Sequence, residues 1–127
     1  MIKELIDLQR NSNATCAIIE NKDIRKLYPG VAIKANVSDK FLFAHSRPPF
    51  ADIIDEKSKN SEICYLVIKE IDEISIDQQN RYNGLVKDRE LNRYFLPDNC
   101  VIVFTVENRN GLKKVSKELY LFAVVAF

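Results

Sequence analysis

The chain has 127 residues, and its 19 basic and 18 acidic side chains leave a net charge of +1, which supplies no global field to hold nucleic acid or an anionic membrane. With 46% hydrophobic residues, 3 Gly and 4 Pro, long disorder is excluded and a single domain over residues 1–127 is expected. No apolar run approaches the roughly 20 residues that cross a bilayer, and the opening residues interleave charges with apolar groups instead of building a signal peptide.

In chain order, Ile2, Leu5, Ile6 and Leu8 fall near one face of a short opening helix, which Asn11, Ser12 and Asn13 stop. Residues 14–20 form a short buried strand. Asn21 is placed to cap a brief helix that turns Ile24, Leu27 and Tyr28 inward, and Pro29-Gly30 breaks it. Val31, Ile33, Ala35 and Val37 alternate with polar or small residues, the period of a half-buried strand. Residues 38–40 turn the chain, and residues 41–45 return as the second arm of a hairpin. Pro48-Pro49 then opens a helix that buries Phe50, Ile53 and Ile54.

Residues 63–71 are apolar on both faces at first, which indicates a central strand, and Ile74 and Ile76 continue it after a bend. Residues 80–84 read as a loop and residues 85–95 as a helix burying Leu91, Tyr94 and Phe95. Residues 100–106 form a second buried strand. Asn110-Gly111 signals a tight turn, residues 113–118 fit either a strand or one helical turn, with the turn preferred, and residues 119–127 form a closing strand. Most connections look too short for crossover helices, so antiparallel pairing is expected to dominate. The expected fold class is therefore α+β: a curved, mainly antiparallel sheet or small open β-barrel with three to four short helices. The apolar run at residues 122–127 either lies within the sheet or belongs to a longer chain, since an open edge of that kind invites aggregation.

Cys16, Cys64 and Cys100 lie far apart in apolar stretches and read as small buried hydrophobes of a reducing, cytoplasmic compartment. With one histidine and no paired cysteine spacing, no metal site is expected. Glycines at 30, 84 and 111 cannot build a phosphate-cradling loop, and no other cofactor motif is present. Asp98 with Glu107 offers an acidic pair of the kind found in metal-dependent nucleases, although Arg109 stands where such a centre has lysine.

Two stretches carry candidate chemistry. His45, Ser46 and Arg47 lie between a predicted strand end and a helix start. Histidine titrates near neutrality, and an arginine fork suits phosphate or carboxylate, so an enzyme would use His45 as acid/base and Arg47 as charge stabiliser. Further on, Arg81, Tyr82, Lys87, Arg89 and Arg93 interleave cations with an aromatic ring. A nucleic-acid groove needs that mixture, with Ser46 and Arg47 alongside.

The words Tyr28 to Ile33, Phe41 to Arg47 and Leu96 to Val103 resemble the spacing of MazF/PemK-type ribonuclease toxins, in which a strand ends in Ser and a basic residue, here Ser46 and Arg47. That resemblance implies a small β-barrel that cuts RNA, but the family's Gly-Asp opening loop is missing. Phe43 to Pro49, followed by Cys64 to Val67, is similar to the middle of DarT-like ADP-ribosyltransferases, whose N-terminal histidine motif is absent here.

The functional expectation is a small binding module for nucleic acid or a nucleotide. The alternatives are a small enzyme acting on RNA or nucleotides through His45 and Arg47, and a protein–protein adaptor or inhibitor. A net charge near zero is compatible with a protein partner or self-association.

Overall fold

Three apolar runs form the middle of one sheet in the computed structural model, which describes residues 14–44 and 46–126. They are β1 (Cys16–Glu20), β3 (Cys64–Lys69) and β6 (Cys100–Val106), and nearly every residue in them is buried. Burial on both faces explains why they read as continuous hydrophobic stretches without alternation. The flanking strands are β2 (Gly30–Lys34) and β7 (Ala123–Val125), and the spatial order is β2-β3-β6-β1-β7. Every neighbouring pair in this sheet is parallel.

Helices and short 3-10 turns connect the strands. A 3-10 segment (Asn21–Lys26) leads from β1 towards β2. Helices α1 (Ala35–Phe43) and α2 (Ala51–Lys59) lie between β2 and β3. Between β3 and β6 come a 3-10 turn (Ile71–Glu73), α3 (Ile76–Asn80), α4 (Asn83–Asp88) and a hairpin of β4 (Glu90–Leu91) and β5 (Tyr94–Phe95), the one antiparallel pairing among the described residues. A 3-10 turn (Arg109–Lys114) and α5 (Lys117–Phe122) lead from β6 to β7.

These elements cover the two sheet faces unequally. The helices pack on one face, where Ala35, Phe50, Ile54, Tyr82, Leu85 and Leu119 meet Cys16, Leu66, Ile102 and Phe104. The other face, with Ala17, Ile19, Tyr65, Val67 and Val103, receives Leu27 and Ile24 from the β1–β2 connection. Gly30 is required at the start of β2, because a Cβ there would stand 2.6 Å from the Tyr65 carbonyl oxygen and 2.9 Å from Tyr65 Cβ. Its absence lets β2 close against β3.

The fold is thus α/β with an open, parallel five-stranded sheet, and not the α+β antiparallel sheet or β-barrel expected from sequence. The error begins at residue 35. The alternation of Val31 and Ile33 does not run on as a strand: α1 starts at Ala35, Ala35 and Ser38 point inward at helical spacing, and Val37 is exposed. With a helix in place of the predicted hairpin arm, the link from β2 to β3 becomes long enough for a parallel crossover.

A second error lies at Asn110-Gly111. These residues belong to a 3-10 turn, where a Cβ on Gly111 would overlap the Asp72 carboxylate, and residues 117–122 are helical. Strand β7 therefore pairs in parallel with β1 instead of folding back on β6. Five short α-helices occur among the described residues, against three to four expected. The expected opening helix at residues 2–8 lies outside the described residues.

Candidate functional site

In an open parallel sheet, ligands bind beyond the C-terminal ends of the strands, where neighbouring strands send their connections to opposite faces. That reversal falls between β1 and β6. The segment leaving β1 packs on the face of Ile19 and Val103, and the segment leaving β6 packs on the helical face through Leu112, Val115 and Leu119.

The side chains at this point are polar and joined. Thr105 is fully buried near the end of β6. Its hydroxyl donates to Asn21 Oδ1 at 3.2 Å and accepts from the Glu70 backbone N–H at 3.0 Å. One side chain thus fastens the ends of β1 and β3 to β6. Asn21 was expected to cap the helix after β1, but that segment starts at Asn21 itself and has no side-chain cap. Its carboxamide oxygen is used by Thr105 instead.

On the β2 side, Lys34 and Lys69 are the last register pair of the β2–β3 ladder. Lys34 Nζ lies 3.9 Å from a Glu70 carboxylate oxygen, and Lys69 forms no ion pair among the described residues. Glu70 has a left-handed backbone with φ of 60°, a conformation that costs a non-glycine residue free energy and concentrates at functional sites. Glu70 stands beside Glu73, and the repulsion between their carboxylates raises the Glu73 pKa. The edge therefore combines two lysines, a strained glutamate, and the Asn21–Thr105 pair. The two lysines can pair with an anion and the Asn21–Thr105 pair can hydrogen-bond, so the arrangement can hold an anionic, hydrogen-bonding ligand.

The residues singled out from sequence lie elsewhere. His45 lies outside the described residues. Ser46 is exposed, and its carbonyl accepts from Asn92 Nδ2 at 2.8 Å. Arg47 reaches Asp52 at 3.0 Å and Asp55 at 3.6 Å, and its guanidinium lies 5.1 Å from the Tyr94 ring centroid. Asp55 also accepts from the Tyr94 hydroxyl at 2.8 Å. Burial and this neighbouring carboxylate push the Tyr94 pKa up. These contacts fasten the start of α2 to the β4–β5 hairpin.

The nucleic-acid surface expected from Arg81 to Arg93 is not supported. Tyr82 is fully buried, packs edge-on against Phe104 at 5.8 Å and bonds Ser38 and the Ala35 carbonyl, so its ring cannot stack on a base. Arg89 terminates α4 in the left-handed region and donates to the carbonyls of Pro97 and Cys100, both at 2.7 Å. Arg93 sits in the hairpin turn with φ of 68°, off the helix that was to align it with Arg89. Lys87 is an exposed residue of α4, and Arg81 follows α3 as its C-terminal cap. The segment folds as two short helices and a hairpin, so its cations do not share one helix face.

Asp98 and Glu107 flank opposite ends of β6, whose seven residues span roughly 23 Å at strand rise, and so cannot share a metal ion. Among the described residues, no group of three His, Cys, Asp or Glu side chains stands close enough to hold a metal. No helix among them is long and apolar enough to cross a membrane.

The polar edge was missed because its members are unremarkable locally. Asn21 and Thr105 are 84 residues apart, and only parallel pairing brings them together. No protein-family model matches the chain, and no curated protein matches it significantly.

Proposed function

We propose that the chain is a nucleotide-binding module that takes its ligand at the C-terminal edge of the parallel sheet, with the phosphates on Lys34 and Lys69. The observation that carries this reading is the register pairing of these two lysines at the C-terminal edge of the sheet, on β2 and β3, with β3 next to the β6 strand of the β1–β6 reversal. Like charges directly opposite on adjacent strands are destabilising, and a bound phosphate offsets that repulsion. Across β6 from Lys69, Asn21 at the end of β1 offers a carboxamide NH2 that has no partner among the described residues, suited to a sugar hydroxyl or a base edge.

The mode of phosphate binding differs from a glycine-rich loop. The five residues after β1, Asn21-Lys22-Asp23-Ile24-Arg25, contain no glycine, so a cradle of backbone N–H groups is replaced by side-chain cations. Binding of this kind weakens with added salt, because exposed charges are screened. Calorimetric titration with adenosine and its mono-, di- and triphosphates, against chains carrying Lys34→Gln and Lys69→Gln, tests the reading.

A further inference from the structure

The opposite end of the same sheet carries a second pair of like residues in direct register. Cys64 opens β3 and Cys100 opens β6, and the two are paired Cα to Cα across the parallel ladder. Both side chains belong to the helix-side core, with exposures of 0% and 2%, and neither is in a disulfide. Adjacent strands hold paired Cα atoms roughly 4.8 Å apart, inside the range of roughly 4.4–6.8 Å that a disulfide spans.

We propose that Cys64 and Cys100 form a two-thiol site that a hydroperoxide oxidises to a cross-strand disulfide between β3 and β6. The surroundings divide the roles. Proton sharing with Cys100 and the cations of Arg89 and Lys57 lower the Cys64 pKa against the opposing effect of burial, and so favour the thiolate there. Arg89 is held in place by the Pro97 and Cys100 carbonyls, which it bonds. Cys100 is pushed up by sharing its proton with Cys64 and by burial, and stays a thiol. The third cysteine, Cys16, has no cysteine opposite it, since its register partners are Ile102 and Ala123, and burial pushes its pKa up to about 12.

The chemistry balances with hydrogen peroxide as the oxidant. The Cys64 thiolate attacks one peroxide oxygen, breaking the O–O bond and leaving a sulfenic acid and hydroxide. The Cys100 sulfur then attacks the Cys64 sulfur and displaces the sulfenic OH, which leaves as water with the Cys100 proton, while the hydroxide takes up the proton that Cys64 gave up in forming its thiolate. Overall two thiols lose two electrons and two protons, and the peroxide becomes two waters. The oxidant must be small, because the site is buried while the chain is folded.

The test treats the folded 127-residue chain with hydrogen peroxide, then alkylates it under denaturing conditions and maps its peptides by mass. The expected result is loss of two alkylatable thiols, a linked peptide joining Cys64 to Cys100 that is lighter by two hydrogens, and Cys16 still alkylated. Reduction with dithiothreitol restores all three thiols. Finding Cys64 and Cys100 still alkylated, separately over-oxidised to sulfinic acids, or linked to Cys16 overturns the proposal. The mapping needs no variant, so it stands whether or not Cys64→Ser folds. If that variant folds, its two remaining thiols survive the same exposure, and their oxidation at the rate of the unmodified chain also overturns the proposal.

Discussion

Lys34 and Lys69 face each other in the last register pair of the β2–β3 ladder, two cations on adjacent strands with one glutamate, Glu70, within 3.9 Å of Lys34. In a sheet, such a pair weakens the fold, while the ligand edge of an α/β protein is where it serves binding.

The proposed site therefore sets stability against binding at this position. Lys69→Gln is expected to stabilise the ligand-free chain by about 0.5 kcal/mol, the scale of a like-charge cross-strand pair, in urea unfolding at low salt. The gain shrinks at high salt as screening removes the repulsion. A variant less stable than the parent would contradict the placement of these two charges.

Gln79 carries a different kind of weight. Its side chain is fully buried, donates to the carbonyls of Ile74 at 3.1 Å and Lys114 at 2.8 Å, and accepts from the Ser116 N–H at 2.6 Å. It thereby joins the entry to α3 with the entry to α5. Gln79→Leu keeps the volume but strands three backbone groups away from water, and is expected to cost about 3 kcal/mol in urea unfolding. A loss under about 1 kcal/mol would mean that water replaces these bonds.

Arg89 distinguishes a structural cation from the lysines proposed to hold a ligand. It donates to one carbonyl in the turn before β6 and one at the first residue of that strand, from a left-handed backbone. Arg89→Ala is expected to destabilise the chain by about 2 kcal/mol, the scale of hydrogen bonds to a charged donor, and to leave nucleotide affinity of the folded protein unchanged. An affinity loss at full folding would move the site towards the α4 end of the molecule.

Strands β1, β3 and β6 were legible because Ala17-Ile18-Ile19, Tyr65-Leu66-Val67-Ile68 and Ile102-Val103-Phe104 are apolar on both faces, the mark of a covered central strand. Read consistently, that pattern also points to parallel pairing. The alternation through Val37 obscured it, because a strand ending in Ile33-Lys34 and a helix opening with Ala35 leave the same short word as one longer strand. The helix is decided by tertiary packing, with Ser38 bonded to Tyr82 from 44 positions away.

The candidate site was less legible still. Arg47, Tyr82 and Arg89 drew attention for their chemistry, yet each is committed to a contact that holds elements together. Lys34, Lys69, Asn21 and Thr105 each look like an ordinary polar residue at a strand end. Their grouping follows from strand order, which local periodicity does not encode.

The most direct measurement of the central claim is isothermal titration of the reduced chain with adenosine, AMP, ADP, ATP and inorganic pyrophosphate at low and at physiological salt. Affinity is predicted to rise with phosphate number, to fall with salt, and to drop roughly tenfold in Lys69→Gln, the loss of about one charge-assisted contact. Pyrophosphate is predicted to bind more weakly than ADP, since Asn21 has no sugar or base to engage. Absence of binding to every nucleotide at low salt, or affinity indifferent to Lys34→Gln and Lys69→Gln, would contradict the assignment of this edge as the site.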